Sequence, residues 1–88
     1  MSPNISSFEG INIFMQWNDH IPPHFHAVYG EFEAIIDIKN CAVLAGILPK
    51  SKLKLVLAWC VLHREELLVN WELAMEGKPL QRINPLRR

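Results

Sequence analysis

The chain has 88 residues, with nine basic and nine acidic side chains and so no formal net charge. That length suits one domain, and the balance removes the basic excess that nucleic-acid binding relies on. Half the residues are hydrophobic and a fifth are charged, which excludes a disordered chain. The longest apolar run, Leu55 to Leu62, is far too short for the ~20 residues of a membrane span.

Read from its start, the chain predicts a single α+β domain over residues 1–88, sheet first and helix last. Residues 1–7 read as an irregular arm. Ile11, Ile13, Met15 and Trp17 alternate with Asn12, Phe14 and Gln16, which predicts a strand over about 10–17. Asn18 to Pro23 stops it, because two prolines cannot donate to a ladder and hold the chain extended.

Phe25, Ala27 and Tyr29 then alternate before Gly30-Glu31, and Phe32, Ala34, Ile36 and Ile38 alternate after it. Glycine first in a two-residue loop suits a type II′ hairpin. Counting outward from that loop sets Tyr29 against Phe32, Ala27 against Ala34 and Phe25 against Ile36. This face is wholly apolar, so register and burial agree. A fourth short strand, about Ala42 to Ile47, follows a turn at Lys39-Asn40. The expected sheet is therefore about four-stranded and mainly antiparallel.

Pro49 fits the first turn of a helix. Apolar residues recur at helical spacing from Leu53 to Met75, and Gly77 with Pro79 ends the pattern. One long helix or two with a bend near His63-Arg64 would satisfy it. Residues 80–88 read as a tail docking through Ile83 and Leu86. Because Leu55 to Leu62 is apolar all round, a helix there has more apolar surface than one sheet face can cover. That excess predicts a homo-oligomer or a tightly bound partner.

The hairpin count has a chemical consequence. The other face of the same strands sets His24 across from Asp37, His26 across from Ile35, and Val28 across from Glu33. His20 sits in the preceding loop. Imidazoles with a carboxylate are the donors that zinc and similar divalent ions take, and a carboxylate also raises histidine basicity for acid–base work. His20, His24, His26 and Asp37 are the candidate metal ligands. The candidate catalytic patch adds His63, which shares a helix face with Trp59 and Glu66. The plainest account of the same histidines is structural, as hydrogen-bond donors that pin a loop beside Pro22-Pro23. Trp17, Trp59 and Trp71 read as core or interface anchors.

Two further features bear on setting and partners. Cys41 and Cys60 form no Cys-x-x-Cys pair, and Met1 to Asn4 lacks a basic stretch leading into an apolar one, so a reducing cytoplasm is expected. Residues 1–49 hold Glu9, Asp19, Glu31, Glu33 and Asp37 against Lys39 alone, whereas residues 50–88 hold eight basic and four acidic residues. Such a split can steer a charged partner.

Asn18-Asp19-His20, Pro22-Pro23-His24-Phe25-His26-Ala27 and Tyr29-Gly30 resemble the signature of a small bacterial family, domain of unknown function 4160. So do Leu48-Pro49, Trp59, His63, Glu66-Leu67, Asn70-Trp71 and the closing Ile83-Asn84-Pro85-Leu86, spread over nearly the whole chain. Asn40 departs from the glycine that the family often has in that turn. The resemblance implies a bacterial cytoplasmic protein encoded beside a second small protein, as half of a toxin–antitoxin pair. It implies no settled activity. Two readings follow: an interaction module acting through a co-encoded small partner, or a small histidine-dependent, metal-assisted hydrolase or ribonuclease-like toxin. Net neutrality favours the first and the clustered histidines the second.

Overall fold

A computed structural model describes residues 2–86. Met1 of the expected arm and Arg87 and Arg88 of the expected tail lie outside the described residues. Five strands run in chain order, β1 (Asn4–Phe8), β2 (Ile11–Phe14), β3 (His24–Tyr29), β4 (Phe32–Asp37) and β5 (Ala42–Ile47). Each pairs antiparallel with the next, so the sheet order is the chain order. Two helices follow, α1 (Lys50–Leu62) and α2 (Arg64–Met75). The α+β reading holds, with five strands rather than about four.

The added strand corrects the reading of residues 1–7 as an irregular arm. Ile5 and Phe8 reach the core, but Ser6 and Ser7 between them erase the apolar alternation that marks a strand. A register shift between Asn4 and Ser6 breaks the period further. The strand expected over 10–17 is shorter, because Met15 leaves the ladder with β3 and bonds to the Pro3 carbonyl instead.

The central hairpin has the register the sequence dictates, with Tyr29 opposite Phe32, Phe25 opposite Ile36 and His24 opposite Asp37. One sheet face thus presents Ile11, Ile13, Phe25, Ala27, Ala34 and Ile36 to the helices. Val56, Trp59 and Cys60 of α1, and Leu67, Trp71 and Ala74 of α2, complete the same core cluster. Trp59 is its centre, meeting Phe8 at 5.4 Å and Phe25 edge-on at 5.6 Å.

Of the two helical alternatives, the pair is observed. A straight helix from Lys50 to Met75 would span about 39 Å, and the whole molecule extends only 34 Å. The break falls at His63, whose φ of −117° and ψ of 22° are not helical. Just beyond it, Arg64 donates from Nε to the Ile38 carbonyl and from Nη2 to Cys41 Sγ. Cys41 Sγ also lies 2.9 Å from Cys60 Sγ, so sheet and helix ends are locked together there. The left-handed residue of the β4–β5 turn is Cys41 (φ 49°), not Asn40.

The tail docks as expected, with Ile83 buried and Leu86 packed on the core. The Ile83 N–H donates to the Ile5 carbonyl, which closes off the β1 edge of the sheet. Asn70, buried in α2, holds both the N–H and the C=O of Gln81, and Trp59 Nε1 donates to the Asn84 carbonyl. The β5 edge has no such cover among the described residues. Every residue of β5 is exposed, as are Val61 and Leu62 at the end of α1. Of the core and interface roles read for Trp17, the core one does not hold: it is 43% exposed and donates its indole N–H to the Lys78 carbonyl.

Candidate functional site

The loop between β2 and β3 returns along the end of α2. The Asn18 N–H donates to the Ala74 carbonyl, with Asn18 itself in the left-handed region (φ 53°). That anchor brings the next residue, Asp19, over the polar face of β3. His24 and His26 point from this face because they are two apart on a strand. Their rings stand 5.5 Å apart, and the indole of Trp71 packs against His24 at 5.2 Å.

Three polar atoms converge there. His24 Nε2 lies 2.9 Å and His26 Nε2 3.6 Å from the same oxygen, Asp19 Oδ2. The far end of each side chain is fixed. His24 Nδ1 donates to the Pro22 carbonyl at 2.7 Å, His26 Nδ1 donates to Glu33 Oε2 at 2.8 Å, and Asp19 Oδ1 accepts from the His20 N–H at 2.8 Å. A carbonyl and a carboxylate offer no hydrogen, so both Nδ1 atoms carry the proton. Burial pushes the Asp19 carboxyl up, but the His20 N–H and the His24 and His26 rings outweigh it and hold the group below the usual carboxylate range. His26 and Glu33 continue into a surface pocket of about 250 Å³, lined also by Phe14, Gln16 and Val28.

Only part of the expected set meets here. His24 and His26 do, and Asp19 and Glu33 join them. His20 contributes its backbone N–H, with its side chain exposed. Asp37 stands opposite His24 in register, yet its carboxylate turns into the β4–β5 turn. It accepts from Asn40 Nδ2 at 2.8 Å and from the Lys39 N–H at 2.9 Å. The Asn40 amide chiefly lowers its pKa, with the Lys39 and Asn40 N–H groups adding to this against a smaller opposing effect of burial. His63 pairs with Glu66 at 2.7 Å, and its ring lies tilted against Trp59 at 5.5 Å. The helix residue against the histidines is instead Trp71. Among the described residues, Asp19, His24 and His26 are the group whose ligand atoms all fall within 4.8 Å of one another.

The sequence profile of the family described as domain of unknown function (DUF4160) matches residues 10–72. The match takes in the loop, both histidines, Glu33 and Trp71, and leaves out β1 and the tail. No helix among the described residues is long and apolar enough to cross a membrane. No curated protein and no solved structure gives a significant match. The match spans well over half of the chain, and the chain belongs to the DUF4160 family.

Proposed function

We propose that this chain is a protein-interaction module that adds its β5 edge to a second small protein encoded beside it, as one half of a toxin–antitoxin pair. The observation that carries this reading is the bare edge. β5 is Ala-Val-Leu-Ala-Gly-Ile, with neither a charge nor a proline, and it is exposed along its whole length. Isolated edge strands are normally guarded by charge, proline or a covering segment. The opposite edge of this sheet has such a cover in the tail. Strand addition would satisfy the free backbone groups, and Leu44, Ile47, Val61 and Leu62 supply apolar contact nearby. The reading puts the exchange in the bacterial cytoplasm, where Cys41 and Cys60 stay reduced. Co-expression with the neighbour-encoded protein tests it: a stable complex that survives purification is expected, and failure to co-purify at several salt concentrations would sink it.

A second reading is a histidine-dependent hydrolase or ribonuclease-like toxin. It is favoured by His26, which sits between two carboxylates on the wall of a pocket. On this reading, expression of the chain alone arrests bacterial growth, and alanine at His24 or His26 relieves the arrest.

A further inference from the structure

We propose that Asp19, His24 and His26 bind one divalent cation of the zinc class through Asp19 Oδ2 and the two Nε2 atoms. The starting point is a deficit of donors. With both Nδ1 atoms protonated, each Nε2 of a neutral ring presents a lone pair. Were both rings neutral in this tautomer, both lone pairs would face a carboxylate oxygen. Three acceptors aimed at one another repel unless something positive lies between them.

A proton and a metal ion are the two occupants of the right sign. A proton on His24 Nε2 would serve His24 and Asp19 across their 2.9 Å separation. It would leave His26 Nε2 with nothing, since that atom is buried, has no hydrogen-bond partner, and lies beyond hydrogen-bond reach of Asp19. A single cation bonds all three atoms at once. Ligands about 2.0–2.1 Å from a tetrahedral zinc ion stand ~3.3 Å apart. The two separations to Asp19, 2.9 and 3.6 Å, straddle that spacing, and all three ligand atoms lie within 4.8 Å of one another.

The surroundings fit as well. Metal-bound histidines give their other N–H to a carbonyl or carboxylate, which fixes tautomer and aim. Pro22 and Glu33 do this for His24 and His26, and the His20 N–H does it for Asp19. Trp71 covers the His24 side, and His26 with its partner Glu33 lines the neighbouring pocket. Two histidines with one carboxylate select borderline ions over magnesium or calcium, which take oxygen ligands. This inference is independent of the interaction reading and deepens the hydrolytic one.

The test is zinc chloride titrated by calorimetry into the full chain after removal of metals with a chelator. One ion per chain is expected. His26→Ala should weaken binding more than tenfold, and Glu33→Gln by about tenfold through the ring it orients. His20→Ala should leave it unchanged. Nitrogen-detected NMR should show the His24 and His26 ring resonances moving on zinc addition while those of His20 and His63 stay, which separates this site from capture by Cys41 and Cys60. Glu33 is exposed, so Glu33→Gln remains folded even if His26→Ala does not. Absence of binding would overturn the proposal, as would equal affinity in the folded Glu33→Gln and His26→Ala variants. Zinc binding without growth arrest or hydrolysis would uphold the site and remove the hydrolase reading.

Discussion

Asp19 and Asp37 both approach His24, and they do different work. Asp37 reaches it by register, a position that could be counted along the hairpin from Gly30-Glu31. Asp19 reaches it from a loop whose path is set by a contact with the Ala74 carbonyl. No period in the sequence encodes that contact, which is why the expected ligands include His20 but not Asp19. Register places a backbone and leaves the side chain a choice: Asp37 has Lys39 and Asn40 within reach and caps the turn. Replacing it with alanine strands those donors, and a loss of about 2 kcal/mol is expected in urea denaturation at neutral pH. The sign of the pH effect follows from its lowered pKa. The stabilisation is complete above the unfolded value of about 3.9 and disappears as pH falls through the lower folded value, so native and Asp37→Ala stabilities should converge on acidification. The thiols give a second residue-scale expectation. Burial, with the hydrogen bond to Cys41 adding to it, pushes the Cys60 thiol far up, so it stays protonated. Half-exposed Cys41 should react with a thiol reagent in the native protein, and Cys60 only on unfolding. Two equally fast thiols would contradict this.

Among the elements, those with clean periodicity were legible: the β3–β4 hairpin, β5 and the helical span. β1 was not, because two serines occupy the centre of a five-residue strand whose burial depends on the distant tail. The sequence leaves the helix break open because the residues around His63 include no glycine or proline. The residues that hold Arg64 there, Ile38 and Cys41, lie in the distant β4–β5 turn. Other contacts account for residues of the family signature. Trp59 and Asn70 hold the tail, and Ile83 seals the β1 edge. Asn70→Ala would leave the Gln81 backbone groups unpaired and should cost about 2–3 kcal/mol, with tail amides exchanging with solvent much faster than in the native chain. Gly46 carries a different constraint. It sits at φ 80°, and a Cβ there would stand 2.2 Å from the Glu33 carbonyl oxygen. Gly46→Ala should therefore detach β5 from β4, seen as selective loss of amide protection in β5 while the β2–β3 amides stay protected.

On the scale of the whole molecule, the sheet is asymmetric in a way that no single element reveals. One edge is sealed by the chain's own C-terminal segment and the other is bare, apolar and uncharged. The charge is also divided, with residues 1–49 acidic apart from Lys39 and residues 50–88 carrying the basic excess. These two features should act on different steps of association. Long-range charge steers encounter and is screened beyond about 8 Å at physiological ionic strength, so it governs the on-rate. Strand pairing and apolar burial along β5 act only after contact and govern the off-rate. If the proposed interaction reading holds, raising salt should thus slow association with a co-encoded partner while leaving dissociation nearly unchanged. Leu44→Lys and Ile47→Lys together should do the reverse, speeding dissociation through charges set on the edge. Both side chains are exposed, at 46% and 69%, so folding stability should shift by no more than about 0.5 kcal/mol per site. Stopped-flow association and surface-immobilised dissociation measurements separate the two steps. Were the double variant to hold the partner as long as the native chain does, β5 would not be the docking edge. If sedimentation showed that the variant also dissolved a homodimer, a second copy of this chain would be its occupant instead.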